Sequence, residues 1–491
     1  MTIKRDRKGS GHAVAWISVG LGLLVVAIAV LMTRPARPPA YTGPVRHVIV
    51  ISLDTTRPDH LGCYGNTWVR TPRIDALAGE SILLTDYMTV ASTTLASHTS
   101  LFTGKYPHHH GVPRNGFVVH DDNLMLAEIL GRAGFHTAGF LASFALDRRF
   151  NFDQGFEHFD ENFNIFVGQN GADQNQRRAA AVTDAVIDYL DTAGVPRNLF
   201  LFVHYFDPHM PYAPPAPYDA MYGPGGIRPK NHPALTAGPA SPEAMQKLLG
   251  YAGETTYMDE HLGRLLDDLK RRGVLDEALL IVTSDHGENL GDANGPAFDH
   301  GWTTYQALMH AVGIIRLPQA ANGATRLDCD AASIDVVPTI VKYLGLELPA
   351  GVDGRPLDLA DLSRNAAPRT RFGEATKPWN EVETDPRWYN TRKQRCVRTG
   401  DHKLVRADYL GREELYDIRT DPRERHNLLA APTPDLLRTA GEMRRALEEW
   451  TDTADPLPTH FENSYYEDTV RRLQSLGYLS SGTEDADDEG D

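Results

Sequence analysis

The sequence predicts an α/β fold, a mostly parallel sheet with helices on both faces, followed by a smaller carboxyl-terminal α+β subdomain. Residues 48–53 and 278–284 are continuous apolar runs of strand length, the mark of strands buried on both faces. Strand-like and helix-like segments alternate around them, which calls for a parallel sheet. Beyond about residue 360 the extended segments shorten and two late helices come after them, over 436–450 and 466–476. In chain order, the strand at 48–53 leads through a loop to a short helix at 72–78. Residues 81–90 read as extended and feed a helix that starts near Thr94. An amphipathic helix at 124–132 precedes a short strand at 135–141; 177–189 is helical and 199–204 is a buried strand. The stretch 214–242, rich in Pro, Gly and Ala, is expected as a surface excursion over the site. A long helix covers 243–272, and after the apolar run 311–315 another helix starts near Ser333-Ile334-Asp335. No solenoid-type repeat is present.

Length and charge bound the rest. At 491 residues a large domain plus a smaller one is the natural expectation, and a net charge of −16 argues against a nucleic-acid partner. Residues 13–32 are uncharged and mostly apolar, about the 20 residues that cross a bilayer as a helix. Lys4, Arg5, Arg7 and Lys8 precede them, which holds the amino terminus in the cytoplasm. A cleaved signal peptide is the competing reading; both readings export the remainder of the chain. The expected organisation is a cytoplasmic tail (1–12), a transmembrane signal anchor (13–33), a Pro-rich linker (34–44), a catalytic domain (45–360), the subdomain (361–480) and an acidic tail (481–491). The catalytic domain is then extracytoplasmic, periplasmic or extracellular. Cys63, Cys329 and Cys396 are scattered, with no disulfide framework and no metal-ligand spacing.

Both apolar runs end on acid. Asp54 closes the first, and Asp285-His286-Gly287-Glu288 succeeds the second. Open α/β sheets collect their sites at the carboxyl edge of the strands, and two carboxylates with an imidazole there suit a divalent metal. A pair of strand-end caps is the alternative, since Asp is common in turns.

Between those strands, residues 92–111 read Ser-Thr-Thr-Leu-Ala-Ser-His-Thr-Ser-Leu-Phe-Thr-Gly-Lys-Tyr-Pro-His-His-His-Gly. Leu53-Asp54-Thr55-Thr56-Arg57-Pro58-Asp59-His60 precedes them. His204-Tyr205-Phe206-Asp207-Pro208-His209, Ser284-Asp285-His286-Gly287-Glu288 and Glu414-Leu415-Tyr416-Asp417-Ile418 come later. In this order the stretches resemble the sulfatase family of the alkaline phosphatase superfamily: its nucleophile helix, opening metal loop, middle histidine motif, second metal loop and carboxyl-terminal subdomain. One departure matters. The family usually carries Cys-x-Pro-x-Arg at the helix start, and its Cys or Ser becomes formylglycine. Aligned on Thr103-Gly104, this chain has Thr94, Ala96 and His98 at those positions, and none of its cysteines lies in such a context. No formylglycine is expected, and the chain resembles the phosphorus-processing relatives that carry Thr there.

The resemblance implies Thr94 as nucleophile, with Thr93 as the alternative if the alignment slips by one. A helix-capping Thr is the reading the residue type alone would support. The metal would be held by Asp54, Asp285, His286 and the Thr94 oxygen. Relatives often carry a second carboxylate after the first, where this chain has Thr55. The mixed oxygen and imidazole set favours Zn or Mn over Ca. His209 and His300 match positions that face the leaving group or bind charged oxygens; with Asp207 they could instead ligate a second zinc. Lys105 and His110 match positions that contact nucleophile or substrate, and His98 is expected to orient Thr94 or the bound anion. Asn115 is spaced like the asparagine that a phosphonate monoester hydrolase places on a non-bridging oxygen.

The expected activity is that of a membrane-anchored metallohydrolase acting on an anionic ester of a small molecule, lipid or glycan. A hydrated formylglycine expels sulfate by breaking its own C–O bond. A plain threonine ester has no such exit and must be opened at sulfur or phosphorus, which favours phosphate or phosphonate esters over sulfate. Three readings compete: a sulfatase that works without formylglycine, a phosphoryl-group transferase modifying lipid or surface glycan, and a catalytically inactive binding protein of the same fold.

Overall fold

The apolar runs become the centre of the sheet. In chain order the strands are β1 (His47–Leu53), β2 (Ile82–Leu84), β3 (Tyr87–Met88), β4 (His136–Phe140), β5 (His158–Asp160), β6 (Leu199–Tyr205) and β7 (Ala278–Thr283). They continue with β8 (Gly313–Arg316), β9 (Thr325–Leu327), β10 (Ala331–Ala332), β11 (Thr370–Thr376), β12 (Lys393–Thr399), β13 (His402–Ala407) and β14 (Arg412–Asp417). The main sheet runs β5-β4-β6-β1-β7-β8-β2-β9. Its first five strands are parallel. β8 departs from the expectation by running antiparallel to both β7 and β2. The computed structural model describes residues 41–163, 175–223, 225–227, 241–321, 323–376 and 392–478. The expected tail, anchor and acidic terminus lie outside them, as do residues 34–40 of the linker. Among the described residues no helix is long and apolar enough to cross a membrane.

Register sets the site. β1 is paired with β6 from His47↔Leu199 to Leu53↔Tyr205, and with β7 from His47↔Ala278 to Ser52↔Thr283. The three strands therefore end on one line, and the chain leaves them as Asp54, Phe206-Asp207 and Ser284-Asp285. Every residue of all three is buried, as strands covered on both faces require. Alternation divides the two faces of β6. Phe200, Phe202 and His204 point toward the helix Thr94–Thr103, where Phe102 and His98 meet Phe202 at ring separations of 4.7 and 5.9 Å. Tyr205 points the other way and its hydroxyl meets Thr183 at 2.7 Å, on the helix Ala179–Ala193. Beside that helix runs the long helix Pro242–Arg271, whose Tyr251 reaches the loop after β1. The described part of the expected excursion, with its short helix Tyr218–Met221, packs on this long helix through Tyr218–Tyr257 and Tyr222–Thr256. Residues 228–240 lie outside the described set.

β11 to β14 form a separate antiparallel sheet in sequence order. Val397, Leu404 and Leu415 on one face pack with Ala440, Met443, Leu447 and Trp450 of the helix Pro434–Asp452. Cys396, Val405 and Tyr416 on the other pack with Met88, Tyr305 and Met309 of the main body. A buried ion pair inside the subdomain positions the link to the main body: Lys403 Nζ lies 2.8 Å from Glu424 Oε1, and both side chains are fully buried. The same carboxylate accepts the Gln306 N–H, in the segment just beyond His300. Lys403→Met would leave the Glu424 carboxylate buried without its cation, at a cost of about 3 kcal/mol. The expected result is a clearly lowered thermal midpoint. An unchanged midpoint would show that the pair does not support that link.

Candidate active site and metal centre

Three acceptors converge where β1 and β7 end. Asp54 Oδ1, Asp285 Oδ2 and His286 Nε2 are buried and have no hydrogen-bond partner. One ligand atom from each residue lies within 4.8 Å of the others, the one such group of three or more among the described residues. Their remaining atoms are fixed. Asp54 Oδ2 accepts from His204 Nε2 at 3.1 Å. Asp285 Oδ1 accepts the N–H groups of Thr55 and His286, at 3.2 and 2.8 Å. His286 Nδ1 donates to the Gly287 carbonyl at 3.0 Å, which leaves Nε2 as a bare lone pair. Burial raises the Asp54 carboxyl to about 6, with His286 and His300 opposing and Glu288 adding to the rise. Burial and the Asp54 charge also push Asp285 up. Two buried carboxylates and a directed imidazole, each with an unused acceptor, are a donor set that fits a divalent cation.

The helix Thr94–Thr103 delivers its first residue to this group. Thr93 stands at the cap position with extended dihedrals but makes no side-chain cap bond. Asn115 replaces it: its Oδ1 accepts the Leu95 N–H at 2.7 Å, while its buried Nδ2 has no partner. Thr94 is fully buried, and its hydroxyl counteracts the rise in the Asp54 pKa. His98, one turn on, donates from Nδ1 to the Thr94 carbonyl at 2.7 Å and takes the Ser52 hydroxyl on Nε2 at 2.8 Å. Its Nδ1 also lies 3.6 Å from Asp285 Oδ2. Burial lowers its pKa to about 3, so this ring is a neutral strut between helix, strand and carboxylate.

Two further imidazoles stand beside the centre. The His300 ring stacks on His286 at 4.6 Å and meets His209 at 5.0 Å. Glu288 holds His300 Nδ1 at 3.2 Å. Burial alone would lower His300, but the Glu288 carboxylate outweighs it and raises the pKa to about 9. His209 donates from Nδ1 to the Met210 carbonyl at 2.9 Å, and burial together with His300 holds it well below its usual value. Both Nε2 atoms are buried without a partner.

Three sequence expectations fall outside this group. Asp207 accepts the Ala179 N–H at 2.8 Å and lies 3.8 Å from Arg178, so it caps the helix Ala179–Ala193 and does not join His209 and His300 as a ligand. Lys105 lies just past the far end of the Thr94–Thr103 helix, roughly 14 Å along its axis from Thr94. His110 binds the Ser100 hydroxyl with Nε2 at 2.9 Å and accepts the Val112 N–H on Nδ1 at 3.1 Å, so both nitrogens serve packing. Conversely, His204, Glu288 and Tyr478 belong to the site without having been singled out. A histidine inside an otherwise apolar buried strand was the signal for His204. Glu288 stood in the quoted motif. For Tyr478, whose hydroxyl lies 3.0 Å from Thr94 Oγ1, the sequence offers no local sign.

The family model described as Sulfatase matches residues 46–346, and the model for the carboxyl-terminal region of N-sulphoglucosamine sulphohydrolase matches 297–452. The chain is 26% identical over 417 residues to an ulvan-active sulfatase of Formosa agariphila, covering 80% of this chain and 78% of that protein. It is 26% identical over 511 residues to a multifunctional alkaline phosphatase superfamily protein of Trinickia caryophylli, covering 85% and 98%. Among solved structures, a phosphonate monoester hydrolase of Silicibacter pomeroyi is similar with a TM-score of 0.64 at 25% identity, covering 82% of this chain and 95% of that one. Asp285→Asn or His286→Ala should remove bound metal, read by elemental mass spectrometry of purified protein. His204→Leu should weaken metal affinity roughly 10–100-fold, because it leaves the ligands in place but frees Asp54 Oδ2. Wild-type metal content in either ligand variant would overturn this assignment.

Proposed function

The chain belongs to the sulfatase family, and on that premise we propose that it is a metal-dependent hydrolase of phosphate or phosphonate esters that works through Thr94 as nucleophile, without formylglycine. The observation that carries the reading is a hydroxyl that cannot become formylglycine, at the start of the buried helix, where it bonds Asp54 of the Asp54, Asp285 and His286 group. The ligand set, with Thr55 in place of a carboxylate, supports Zn or Mn rather than Ca. A divalent cation held there would neutralise charge on the ester and make a hydroxyl easier to deprotonate. The chain's own residues do the rest. His98 and Asn115 fix the first turn of the helix, so Thr94 Oγ1 meets phosphorus in line, its proton passing through His209 Nε2 to solvent as the new bond forms. His300, held by Glu288, gives its proton to the leaving oxygen. The product of this half is a threonine ester. His209, with Nδ1 committed to a carbonyl, keeps Nε2 as the acceptor that takes a proton from the attacking water. That water opens the ester at phosphorus; as the P–Oγ1 bond breaks, the proton held by His209 passes to Oγ1 and returns Thr94, and His300 regains its proton from solvent. The Asn115 Nδ2 donor serves a non-bridging oxygen.

Sulfate esters are the second reading, supported by the ulvan-active relative. Residues 13–32 support attachment to a membrane with the catalytic residues outside the cytoplasm. Fractionation that finds the full activity soluble in the cytosol would defeat that attachment. Thr94→Ala should lose roughly 10³-fold or more in turnover while still folding, and Thr94→Ser should keep part of it. Mass spectrometry should find Thr94 unmodified at rest and esterified after rapid quenching. A panel of aryl sulfates, phosphate monoesters, diesters and phosphonates decides the ester class. A Thr94→Ala enzyme within tenfold of wild type would mean that water attacks directly.

A further inference from the structure

The helix Tyr466–Ser475 ends by turning its chain into the site. Gly477 adopts φ +82°, the left-handed conformation that closes a helix. The N–H groups of Gly477 and Tyr478 return to the carbonyls of Gln474 and Leu473, both at 3.0 Å. Any side chain at 477 would be strained by that φ, and its Cβ would stand 2.9 Å from Met210 Cε, beside His209. The turn is therefore fixed in direction, and it aims Tyr478. The hydroxyl lies 3.0 Å from Thr94 Oγ1, while the ring lies 5.5 Å from the His209 ring and 5.8 Å from the His300 ring.

What holds this helix is as specific as what it presents. Leu473 and Leu476 are buried in the main core together with Phe461. Phe461 packs edge-on against Phe117 at 5.7 Å, and Thr469 donates to Glu462 at 2.8 Å. Gly116 lies directly beneath: a Cβ there would meet the Phe461 ring at 2.3 Å and Leu473 at 2.9 Å. Gly116 is the next residue after Asn115, whose carboxamide caps the helix that starts at Thr94. One short loop thus supports the nucleophile helix from one side and seats the carboxyl-terminal helix on the other.

Resting on the nucleophile reading above, we propose that Tyr478 is a further catalytic residue, a phenolic donor carried into the site by the carboxyl-terminal helix. Before reaction it holds the Thr94 hydroxyl. When Oγ1 bonds to phosphorus, the non-bridging oxygens of that centre stand two bonds beyond Oγ1, within reach of a phenol that already touches it. The phenol then donates to one of them. No proton is transferred; the hydrogen bond moves from the nucleophile to the group it has taken up. Those oxygens come within reach of the phenol only as Oγ1 closes on phosphorus, so the donor favours the transition state over the bound substrate and raises kcat rather than lowering KM. It also makes turnover depend on a residue 384 positions away in sequence.

The test is Tyr478→Phe in the full chain, which keeps the ring and removes the hydroxyl. Loss of one such donor is expected to lower kcat about 100-fold, with KM within threefold and metal content and thermal midpoint unchanged. The rate at which Thr94 becomes esterified in a single turnover should fall by the same factor. A kcat reduced less than tenfold would overturn the proposal. So would a loss accompanied by reduced metal content or a lowered midpoint, which would mark the residue as structural. Thr94→Ala, measured beside it, separates the two readings. If Thr94→Ala is inactive while Tyr478→Phe is normal, only the role of Tyr478 fails. If Thr94→Ala turns over, the nucleophile reading fails and takes this inference with it.

Discussion

Asp54 and Asp285 stand side by side at the ends of adjacent buried strands, and that proximity is the constraint the site is built around. Neither carboxylate can reach water, and each keeps one oxygen that no hydrogen bond serves. Like charges at such a position raise each other's pKa and oppose folding unless something neutralises them. The protein supplies only partial relief. His204 and the N–H groups of Thr55 and His286 take the other two oxygens, and His98 stands 3.6 Å off. The arrangement is stable as a charge pair only around a cation, so the three orphaned acceptors are better understood as ligands than as packing errors.

Holding two acids in register costs backbone strain. Thr55 sits at φ +51°, an outlying conformation for a β-branched residue. In it the Thr55 N–H turns to Asp285 while its carbonyl accepts from the Tyr251 hydroxyl at 2.8 Å. That hydroxyl also takes the Arg57 N–H at 2.9 Å. Arg57 in turn is bound by Asp292, at 2.7 and 2.9 Å, so its charge is spent inside the loop rather than on a substrate. The long helix thus reaches the metal loop through the Tyr251 phenol, and the loop after β7 reaches it through the Asp285 and Asp292 carboxylates. The strain at Thr55 persists because both ends of the residue are fastened to elements that cannot move independently.

How much of this could be read in advance depends on the range of each signal. β1, β6 and β7 were legible because a strand buried on both faces must be apolar throughout, and the acids that end two of them interrupt that pattern visibly. Thr94 was legible through its place in a longer motif. His98 was expected to orient Thr94 or the bound anion; its ring grips the Thr94 carbonyl and not the hydroxyl. Lys105 and His110 share a segment with Thr94, but ten residues of helix carry Lys105 to the opposite end, and His110 folds under the middle. Asp207 misled because a carboxylate at a strand end looks alike whether it faces a metal or caps the next helix; only the position of Ala179 distinguishes the two. Tyr478 could not be found at all, since the contact that matters joins residues that no periodicity links.

With Thr94 as the proposed nucleophile, the choice of ester follows from the nucleophile more than from the pocket. A hydrated aldehyde can release sulfate by collapsing on itself, so a formylglycine enzyme needs little help with its second half-reaction. A threonine ester cannot collapse, and water must be brought to phosphorus or sulfur on the face opposite Oγ1. That demands an acceptor for the water's proton that is distinct from the donor used for the leaving group. His209 and His300 provide such a pair. Their rings are 5.0 Å apart, and burial disfavours the charged form of both. One has its Nδ1 committed to a neutral carbonyl and stays low; the other faces a carboxylate that overcomes burial and lifts it. Two neighbouring imidazoles held so differently suit the proposed two-step displacement at phosphorus, and on that reading the plain threonine at position 94 is what makes the second of them necessary.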